Sequence, residues 1–416
     1  MTGRPARPVI PLQVLSASPS QVEAPRHLAP VPLALYVHFP WCRQKCPYCD
    51  FNSHAWPTRS GAAGAPALPE EDYVAALLAD LEQAVPLIWG RRVGSIFFGG
   101  GTPSLLSAAA VDTLLGGLRS RLSVLPNAEI TLEANPESVD AANFAAYRAA
   151  GVNRLSLGIQ SFADGHLLAL GRIHNGKQAR WAIETAARHF DNFNLDLMYG
   201  LPGQTLDQAI ADLRTALAYA PPHLSCYQLT IEPNTAFAAR PPALPDADAC
   251  ADMQDAIEGE LAAAAYVHYE TAAFARSGYE CRHNLNYWHF GDYLGIGAGA
   301  HSKLTLPERV LRQMRWKQPQ TYLAQVAVGQ PVQEEHRISP GDLPVEFMMN
   351  ALRLLGGFEA PLFAARTGQS LAQIEAALQQ AERTGLLERS GQRIAPTDRG
   401  RRFLNRLLAG FLPKSP

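Results

Sequence analysis

Short apolar runs recur along the first part of the chain, and longer segments with helical periodicity separate them. Six of these runs are rich in β-branched and aromatic residues, and they begin at Leu33, Ser95, Glu129, Arg154, Phe193 and Leu224. In one intervening segment a single helical face carries Tyr73, Leu77, Leu81, Val85 and Ile88. Strands that alternate with helices predict a parallel sheet with right-handed crossovers. Six units are too few to close an eight-stranded barrel, so the pattern predicts an α/β fold with a partial (β/α)6 barrel.

Polar and glycine-rich residues follow the apolar runs, at the points where the predicted strands end. They comprise a three-cysteine loop after the first run, GGGTPS after the second, and then Glu133, Asn135, Gln160, Ser161, Asp196 and Gln228. Core packing alone does not predict polar side chains at so many strand ends. Parallel barrels place their chemistry at the carboxyl ends of their strands, so the pattern predicts a functional site at this edge.

The chain divides into four predicted regions. Residues 1–31 are rich in proline and lack an apolar signal-peptide core, so we expect a disordered leader there. Residues 32–304 are expected to form the barrel and an extension, and residues 305–340 a linker region. Residues 341–416 predict helices, a short hairpin and a final helix, as in a winged-helix-like domain. This domain carries basic residues that indicate a solvated helix face or, as the alternative, a docking surface: Arg399, Arg401, Arg402 and Arg406.

Composition narrows the class of protein. The 416 residues are 47% apolar and carry a formal charge of −2 at pH 7, which does not favour nucleic acid as a partner. No apolar run approaches the roughly 18 residues of a spanning helix, so we expect a cytoplasmic protein. Six cysteines are present, and those outside the loop (Cys226, Cys250 and Cys281) are expected to be small buried hydrophobes rather than disulfide partners.

The loop after the first strand holds Cys42, Cys46 and Cys49. A closed zinc site uses four protein ligands, so zinc would need a further ligand from among His38, His54 and Cys281. Three thiolates at this spacing favour three corners of a cubane iron–sulfur cluster, whose fourth iron stays open to a small molecule.

The C-x3-C-x2-C loop and the GGGTPS turn together resemble the radical S-adenosylmethionine superfamily. In that family three cysteines hold a [4Fe–4S] cluster, and S-adenosylmethionine chelates the fourth iron through its amino and carboxylate groups. The resemblance therefore implies that Cys42, Cys46 and Cys49 are the metal ligands and that S-adenosylmethionine completes the cluster.

Several residues suit such a cofactor on chemical grounds. The glycines Gly99, Gly100 and Gly101 permit close backbone approach, although a tight turn without a ligand would also need them. The carboxylates of Glu133 and Asp196 suit ribose hydroxyls or a sulfonium, with a structural salt bridge as the alternative. Gln160 offers both a donor and an acceptor. Arg172 suits a carboxylate in fork geometry, with a surface role as the alternative.

A closer resemblance rests on motifs from Leu33 to the C-terminal region: YVHFPWCRQKCPYCDFNSH, GGGTPSLL, EANP, GVNRLSLGIQSF, LGRIH, NLDLMYGLPGQT, YQLTIEPNT and HNLNYW. Together they are similar to the HemW family of haem chaperones, relatives of the oxygen-independent coproporphyrinogen III oxidase. The resemblance implies that S-adenosylmethionine is bound by Tyr36, Tyr48 (mainly through its backbone), Gly100, Gly101, Thr102, Glu133, Gln160, Arg172 and Asp196. It leaves open whether one or two molecules bind.

Two features favour the chaperone branch. Phe51 stands where the oxidase pattern has a further cysteine, and HNLNYW matches the haem-binding motif of the chaperones. His283 of this motif offers an imidazole to haem iron, and Tyr287 and Trp288 offer aromatic faces to a porphyrin. A hydrogen-bonded core histidine is the alternative for His283. Weaker candidates for contact are Cys281 and His301.

The resemblance thus implies a haem chaperone in porphyrin metabolism, with a [4Fe–4S] cluster, S-adenosylmethionine and haem as cofactors. Its expected partners are apo-haemoproteins, among them respiratory enzymes, and it leaves peripheral contact with the inner membrane and a homodimer open. The alternative is an oxidase that decarboxylates propionate side chains by radical chemistry, and a third reading is a scaffold that keeps the cluster for stability. No catalytic residue is assigned, and enzymatic activity is left open.

Overall fold

A computed structural model describes residues 31–56 and 68–412. Residues 1–30 of the expected leader lie outside this range. All six predicted strands are present, and each is parallel to its neighbours in chain order. These barrel strands, numbered first to sixth below, are Leu33–Phe39, Arg92–Gly100, Ser123–Ala134, Arg154–Gln160, Phe193–Tyr199 and His223–Gln228.

Helices connect the barrel strands and cover the outer face of the sheet. Their bounds are Glu70–Ala84, Ala108–Arg121, Ala141–Ala150, Asp164–Ala169, Gly176–His189 and Leu206–Leu217. Two of them begin with capping boxes, formed by Asn175 with Gln178 and by Thr205 with Gln208. These reciprocal bonds satisfy backbone donors that a helix start leaves free. The apolar faces of sheet and helices form the main core.

Residues 305–340 continue the sheet instead of forming the expected linker region. The strand Asp292–Ile296 runs parallel to the first barrel strand, and an antiparallel meander follows it, formed by His301–Leu306, Arg309–Arg315 and Val332–Ile338. A helix, Pro319–Ala327, lies within this segment. At the opposite edge, Ala273–Ala275 and Val267–Glu270 pair antiparallel with the sixth strand and with each other. Within the described residues the sheet has twelve strands and is open.

The C-terminal region has the predicted mixture of helices and hairpin. Its helices are Leu343–Ala351, Ala360–Thr367, Glu375–Arg383, Asp398–Arg402 and Leu404–Ala409. Its small sheet consists of Phe358–Glu359, Leu387–Ser390 and Arg393–Pro396. A second apolar core joins this region to Phe290, Val310 and Ile338 of the barrel extension. The fold is therefore a partial barrel with a winged-helix-like domain docked on its extension.

Two arginines of the basic cluster in the C-terminal region contact the helix Ala247–Ala263 of the same chain. Arg402 pairs with Asp255 at 2.7 Å, and Arg401 pairs with Glu258 at 3.4 Å. Arg399 donates to the Thr384 carbonyl at 3.2 Å. Three of the four arginines named above thus have partners within the chain.

Among the described helices, none combines the length and apolar character that crossing a membrane requires.

A buried ion pair ties the helix Glu70–Ala84 to the extension. Arg315 donates to Asp80 from Nη2 at 3.1 Å and from Nε at 3.2 Å, and both side chains are almost fully buried. Asp80 also accepts from Tyr322 Oη at 2.9 Å and from the Gly297 amide at 3.2 Å. The carboxylate is therefore the shared acceptor of three separate segments.

We expect Asp80→Asn to destabilise the protein by about 3–5 kcal/mol, because Arg315 would then be buried without its counterion. Glu82→Gln in the same helix is the matched control. Glu82 is half-exposed and pairs with Arg121, so its loss should cost less than about 1 kcal/mol. Urea unfolding of the two variants measures the difference, and equal losses would contradict the assigned role of Asp80.

Candidate functional site

A cavity of about 570 Å³ opens at the carboxyl ends of the barrel strands and extends into the barrel. Its walls include the three cysteines, the nine residues that the HemW resemblance assigns to S-adenosylmethionine, and the proposed haem ligand. These are Cys42, Cys46, Cys49, Tyr36, Tyr48, Gly100, Gly101, Thr102, Glu133, Gln160, Arg172, Asp196 and His283. The fold brings the set together, while the roles of the individual residues remain predictions.

The three-cysteine loop is held by backbone contacts. A short parallel pairing of Trp41–Cys42 with His54–Ala55 closes its base, and Lys45 Nζ donates to the carbonyls of Phe51 and Ser53. All three thiols are half-buried and unpaired by disulfides. Burial raises the pKa of Cys42 to about 11, so this thiol needs a bound metal to become a thiolate at neutral pH.

The thiols suit a cluster better than a single zinc ion. Within residues 31–56 and 68–412, no three His, Cys, Asp or Glu side chains converge as the ligands of one metal ion would. In a cubane each cysteine bonds a different iron, so convergence on one point is not required. The imidazoles proposed for zinc are bonded elsewhere, since Nε2 of His38 meets the Asn52 carbonyl at 2.9 Å and Nε2 of His54 meets Asn52 Oδ1 at 3.3 Å.

Arg172 lies beside the cysteine loop and inside the cavity. Its Nη1 is 3.7 Å from Cys46 Sγ, and its Nη2 donates to Asn135 Oδ1 at 2.6 Å and to the Gly158 carbonyl at 3.0 Å. The surface role considered for Arg172 is therefore wrong. Burial raises the pKa of Cys46, and the charge of the Arg172 guanidinium lowers it. The guanidinium therefore favours a thiolate at this position.

The glycine turn is required by packing as well as by access to the cavity. Gly100 has φ +113°, and a Cβ there would lie 2.5 Å from the His38 ring. A Cβ on Gly101 would lie 2.5 Å from the Trp41 carbonyl oxygen. The turn thus fits tightly against the first strand and the cysteine loop, and its backbone still lines the cavity.

Glu133 and Asp196 are carboxyl groups with no cationic side chain of the described residues within ion-pair distance. Neither forms an ion pair with any described residue, so the salt-bridge alternative is wrong for both. Glu133 accepts from the Gly100 amide at 3.2 Å, and burial raises its pKa to about 8, with the Asp196 charge adding to the effect. Asp196 accepts from Asn194 Nδ2 at 2.8 Å and from Ser156 Oγ at 3.1 Å, while burial raises its pKa.

Gln160 has an unusual backbone conformation at the end of the fourth strand. Its φ is +65°, in the left-handed region that non-glycine residues seldom adopt, and the strand pairing shifts register beside it. Such conformations persist only where the surroundings impose them, and they cluster at functional sites. The remaining predicted contacts are buried or half-buried: Tyr36 meets His38 Nδ1 at 3.1 Å, Thr102 accepts from Asn135 at 2.9 Å, and Tyr48 packs against Phe237.

His283 lies deep in the cavity, on the helix Arg282–Trp288. Its Nδ1 is 3.1 Å from Ser95 Oγ, and its ring packs on Phe97 and Tyr287 with centroid distances of 5.0 and 5.2 Å. Burial, aided by the charge of Arg154, lowers its pKa to about 3, so the ring is neutral. Its Nε2 is buried and has no hydrogen-bond partner among the described residues.

The other haem candidates are distributed differently from expectation. Tyr287, four residues after His283, lines the cavity, but Trp288 lies under the guanidinium of Arg353 and lines neither described cavity. Cys281 lines the main cavity. His301 lines a neighbouring cavity of about 400 Å³, which also borders Tyr36, Phe51 and Tyr287.

A group of polar residues inside the barrel was not singled out from the sequence. Arg154, Ser156, Asn194, His223 and Ser225 all line the cavity. The alternation of apolar and polar residues along a strand could have identified such residues. In the strand RLSLGIQ, the apolar Leu155, Leu157 and Ile159 pack in the main core, and the residues between them line the cavity.

Comparisons with known proteins agree with this architecture. The family model of the radical SAM superfamily matches residues 36–216, and that of the HemN C-terminal domain matches residues 338–403. The solved structure of coproporphyrinogen III oxidase (HemN) from Escherichia coli superposes with a TM-score of 0.77, covering 92% of this chain and 90% of that chain at 24% sequence identity. The fold and the site thus define a radical SAM protein with a HemN-like architecture.

Sequence relatives make the assignment more specific. The chain is 48% identical to the haem chaperone HemW of Escherichia coli and 46% identical to that of Haemophilus influenzae, over 92% of this chain and 98% of each relative. HemW of Mycobacterium tuberculosis is 37% identical over 90% of this chain and 94% of that protein. The chain therefore belongs to the HemW family.

We expect Cys46→Ser to lose the iron–sulfur cluster after anaerobic reconstitution, because an alkoxide is a poor substitute for a thiolate corner. Cys250→Ser is the matched control, since Cys250 is a buried cysteine outside the cavity and its variant should keep the cluster. Iron and sulfide content together with visible absorbance measure both outcomes. Unchanged iron in the Cys46 variant would remove this residue from the ligand set.

Proposed function

We propose that this protein is a haem chaperone, which binds haem and delivers it to apo-haemoproteins, and which carries a [4Fe–4S] cluster and S-adenosylmethionine. The observation that carries the haem assignment is the state of His283. The ring is neutral, Nδ1 is oriented by Ser95, and Nε2 has no partner. A metal-binding histidine requires these three properties. The names of the relatives support the same activity.

The cluster and S-adenosylmethionine fit the opposite part of the cavity. Cys42, Cys46 and Cys49 would hold three irons, and the cofactor would occupy the open fourth iron. Such a cluster supplies low-potential electrons when bound. Glu133, mostly protonated at neutral pH, can donate a hydrogen bond, and Asp196 can accept bonds from hydroxyl groups. The glycine turn keeps its backbone within reach of the same ligand.

The proposal includes respiratory haemoproteins as recipients and a cytoplasmic location with peripheral contact at the inner membrane. It also includes a homodimer as the state in which haem is held. These elements rest on resemblance to the HemW family. The oxidase activity of the alternative rests on likeness to HemN, and at 24% identity that likeness concerns the fold.

We expect the anaerobically reconstituted protein to bind haem with a defined Soret band and to release no carbon dioxide from coproporphyrinogen III. Both assays use the same sample, supplied with S-adenosylmethionine and a reductant. Transfer of haem to an apo-haemoprotein, followed by the spectrum of the recipient, tests the chaperone activity itself. Turnover of coproporphyrinogen would overturn the proposal in favour of the oxidase.

We expect His283→Ala to weaken haem binding at least tenfold while cluster absorbance stays unchanged, because the variant removes an axial nitrogen and leaves the cysteine loop intact. His336→Ala is the matched control, since His336 is exposed on the strand Val332–Ile338, away from both described cavities. Haem titration followed at the Soret band measures the effect. An unchanged titration in His283→Ala would place the haem ligand elsewhere.

A further inference from the structure

Arg154 is a buried arginine without a counterion. It is 2% exposed and lines the main cavity. Among the described residues no carboxylate lies within ion-pair distance of its guanidinium, and no hydrogen bond from that guanidinium is present. Its Nε is fully buried and has no partner. Arginine stays charged in proteins. The fold therefore holds a cation inside the barrel whose guanidinium has no bonded partner, and Glu129 and Asp196 favour its charge only through space.

A second buried arginine shows what a purely structural role looks like in this fold. Arg315 is 1% exposed, and its guanidinium is saturated by Asp80, Ser302 and Gln313. Burial of an arginine is costly unless its charge is paired and its donors are bonded. Arg315 meets both conditions within the chain, whereas Arg154 meets neither.

The acidic groups around Arg154 are engaged with other partners. Glu129 accepts from the His283 amide at 3.2 Å and lies 3.6 Å from Cys281 Sγ. Asp196 accepts from Ser156 and Asn194. These carboxylates influence Arg154 through space, but neither supplies the contact that a guanidinium fork makes. The donors of Arg154 therefore stay available to a ligand in the cavity.

The position of Arg154 separates it from the cysteine loop. It begins the seven-residue fourth strand, and Gln160 ends that strand at the cofactor side. At the rise of an extended strand the two residues are about 20 Å apart. Arg154 is close enough to His283 for its charge to act on that imidazole. It thus belongs to the part of the cavity that holds the proposed haem ligand.

We propose that Arg154 is the carboxylate anchor of the cavity, a binding residue that pairs in fork geometry with a carboxylate of the bound ligand. The inference rests on the proposed function, because that function supplies haem, whose propionates are carboxylates. A haem propionate fits the location beside His283, whereas the methionine carboxylate of S-adenosylmethionine is expected at the open iron, on the far side of the cavity.

The first experiment uses the wild-type holoprotein and a masked ligand. We compare the binding of haem with that of haem dimethyl ester. Loss of a charge-assisted pair should weaken binding of the ester by about tenfold to a hundredfold. Equal affinities for haem and its ester would overturn the proposal without any variant.

The second experiment assigns the effect to Arg154. Arg154→Gln should lose affinity for the natural ligand and bind the masked ligand as the wild type does. Arg154→Lys keeps the charge but not the fork geometry, so it should show an intermediate loss of affinity for the natural ligand. This variant replaces Arg154→Gln if Arg154→Gln does not fold. Arg315→Lys is the matched control, because it disturbs a buried arginine outside the cavity. Its affinities for both ligands should equal those of the wild type. Equal losses for natural and masked ligands in the Arg154 variants would indicate a structural role and overturn the proposal.

The two proposals fail in different ways. A wild-type protein that binds no haem would refute the chaperone function, and iron-free protoporphyrin compared with its dimethyl ester would still test Arg154. A wild-type protein that binds haem with no dependence on propionates would refute only the carboxylate anchor.

Discussion

The alternation of side chains along parallel strands is the constraint on which this structure depends. In each barrel strand one set of side chains packs against the covering helices, and the next set faces the lumen. Leu155, Leu157 and Ile159 belong to the first set, and Arg154 and Ser156 belong to the second. A sheet buried on both faces would read as continuously apolar. Here the inner face is polar, so the barrel encloses a binding cavity rather than a second core.

Desolvation then sets the charge of the groups in this cavity. Burial keeps His283 neutral and shifts Glu133 toward its protonated form. Both shifts lower the cost of enclosing the side chain, and both leave a group suited to a ligand: an imidazole nitrogen for a metal and a carboxyl donor for a polar atom. Arg154 has no neutral form to adopt. Glu129 and Asp196 favour its charge through space, while its buried Nε has no hydrogen-bond partner.

Much of the architecture could be predicted because the signals were local. The six strands, the helices between them and the cysteine loop follow from periodicity and spacing. Residues 305–340 were misjudged because strands of the meander are exposed at the sheet edge, so Val332–Ile338 reads as a polar segment. Arg172 lies in the cavity, in agreement with the cofactor side predicted from its position after the fourth strand. Its bonds to Asn135 and to the Gly158 carbonyl could not be predicted, because these partners come from other segments of the chain.

Trp288 shows the same limit within the haem motif. The motif places Tyr287 and Trp288 side by side in the sequence, but the helix Arg282–Trp288 turns them to different directions. Residues four apart share a helical face, so Tyr287 joins His283 in the cavity while Trp288 packs under Arg353. The useful unit of the motif is therefore the pair His283 and Tyr287. His283 supplies a nitrogen, and Tyr287 supplies an aromatic wall. Arg154 lines the same cavity, and its charge acts on the His283 imidazole.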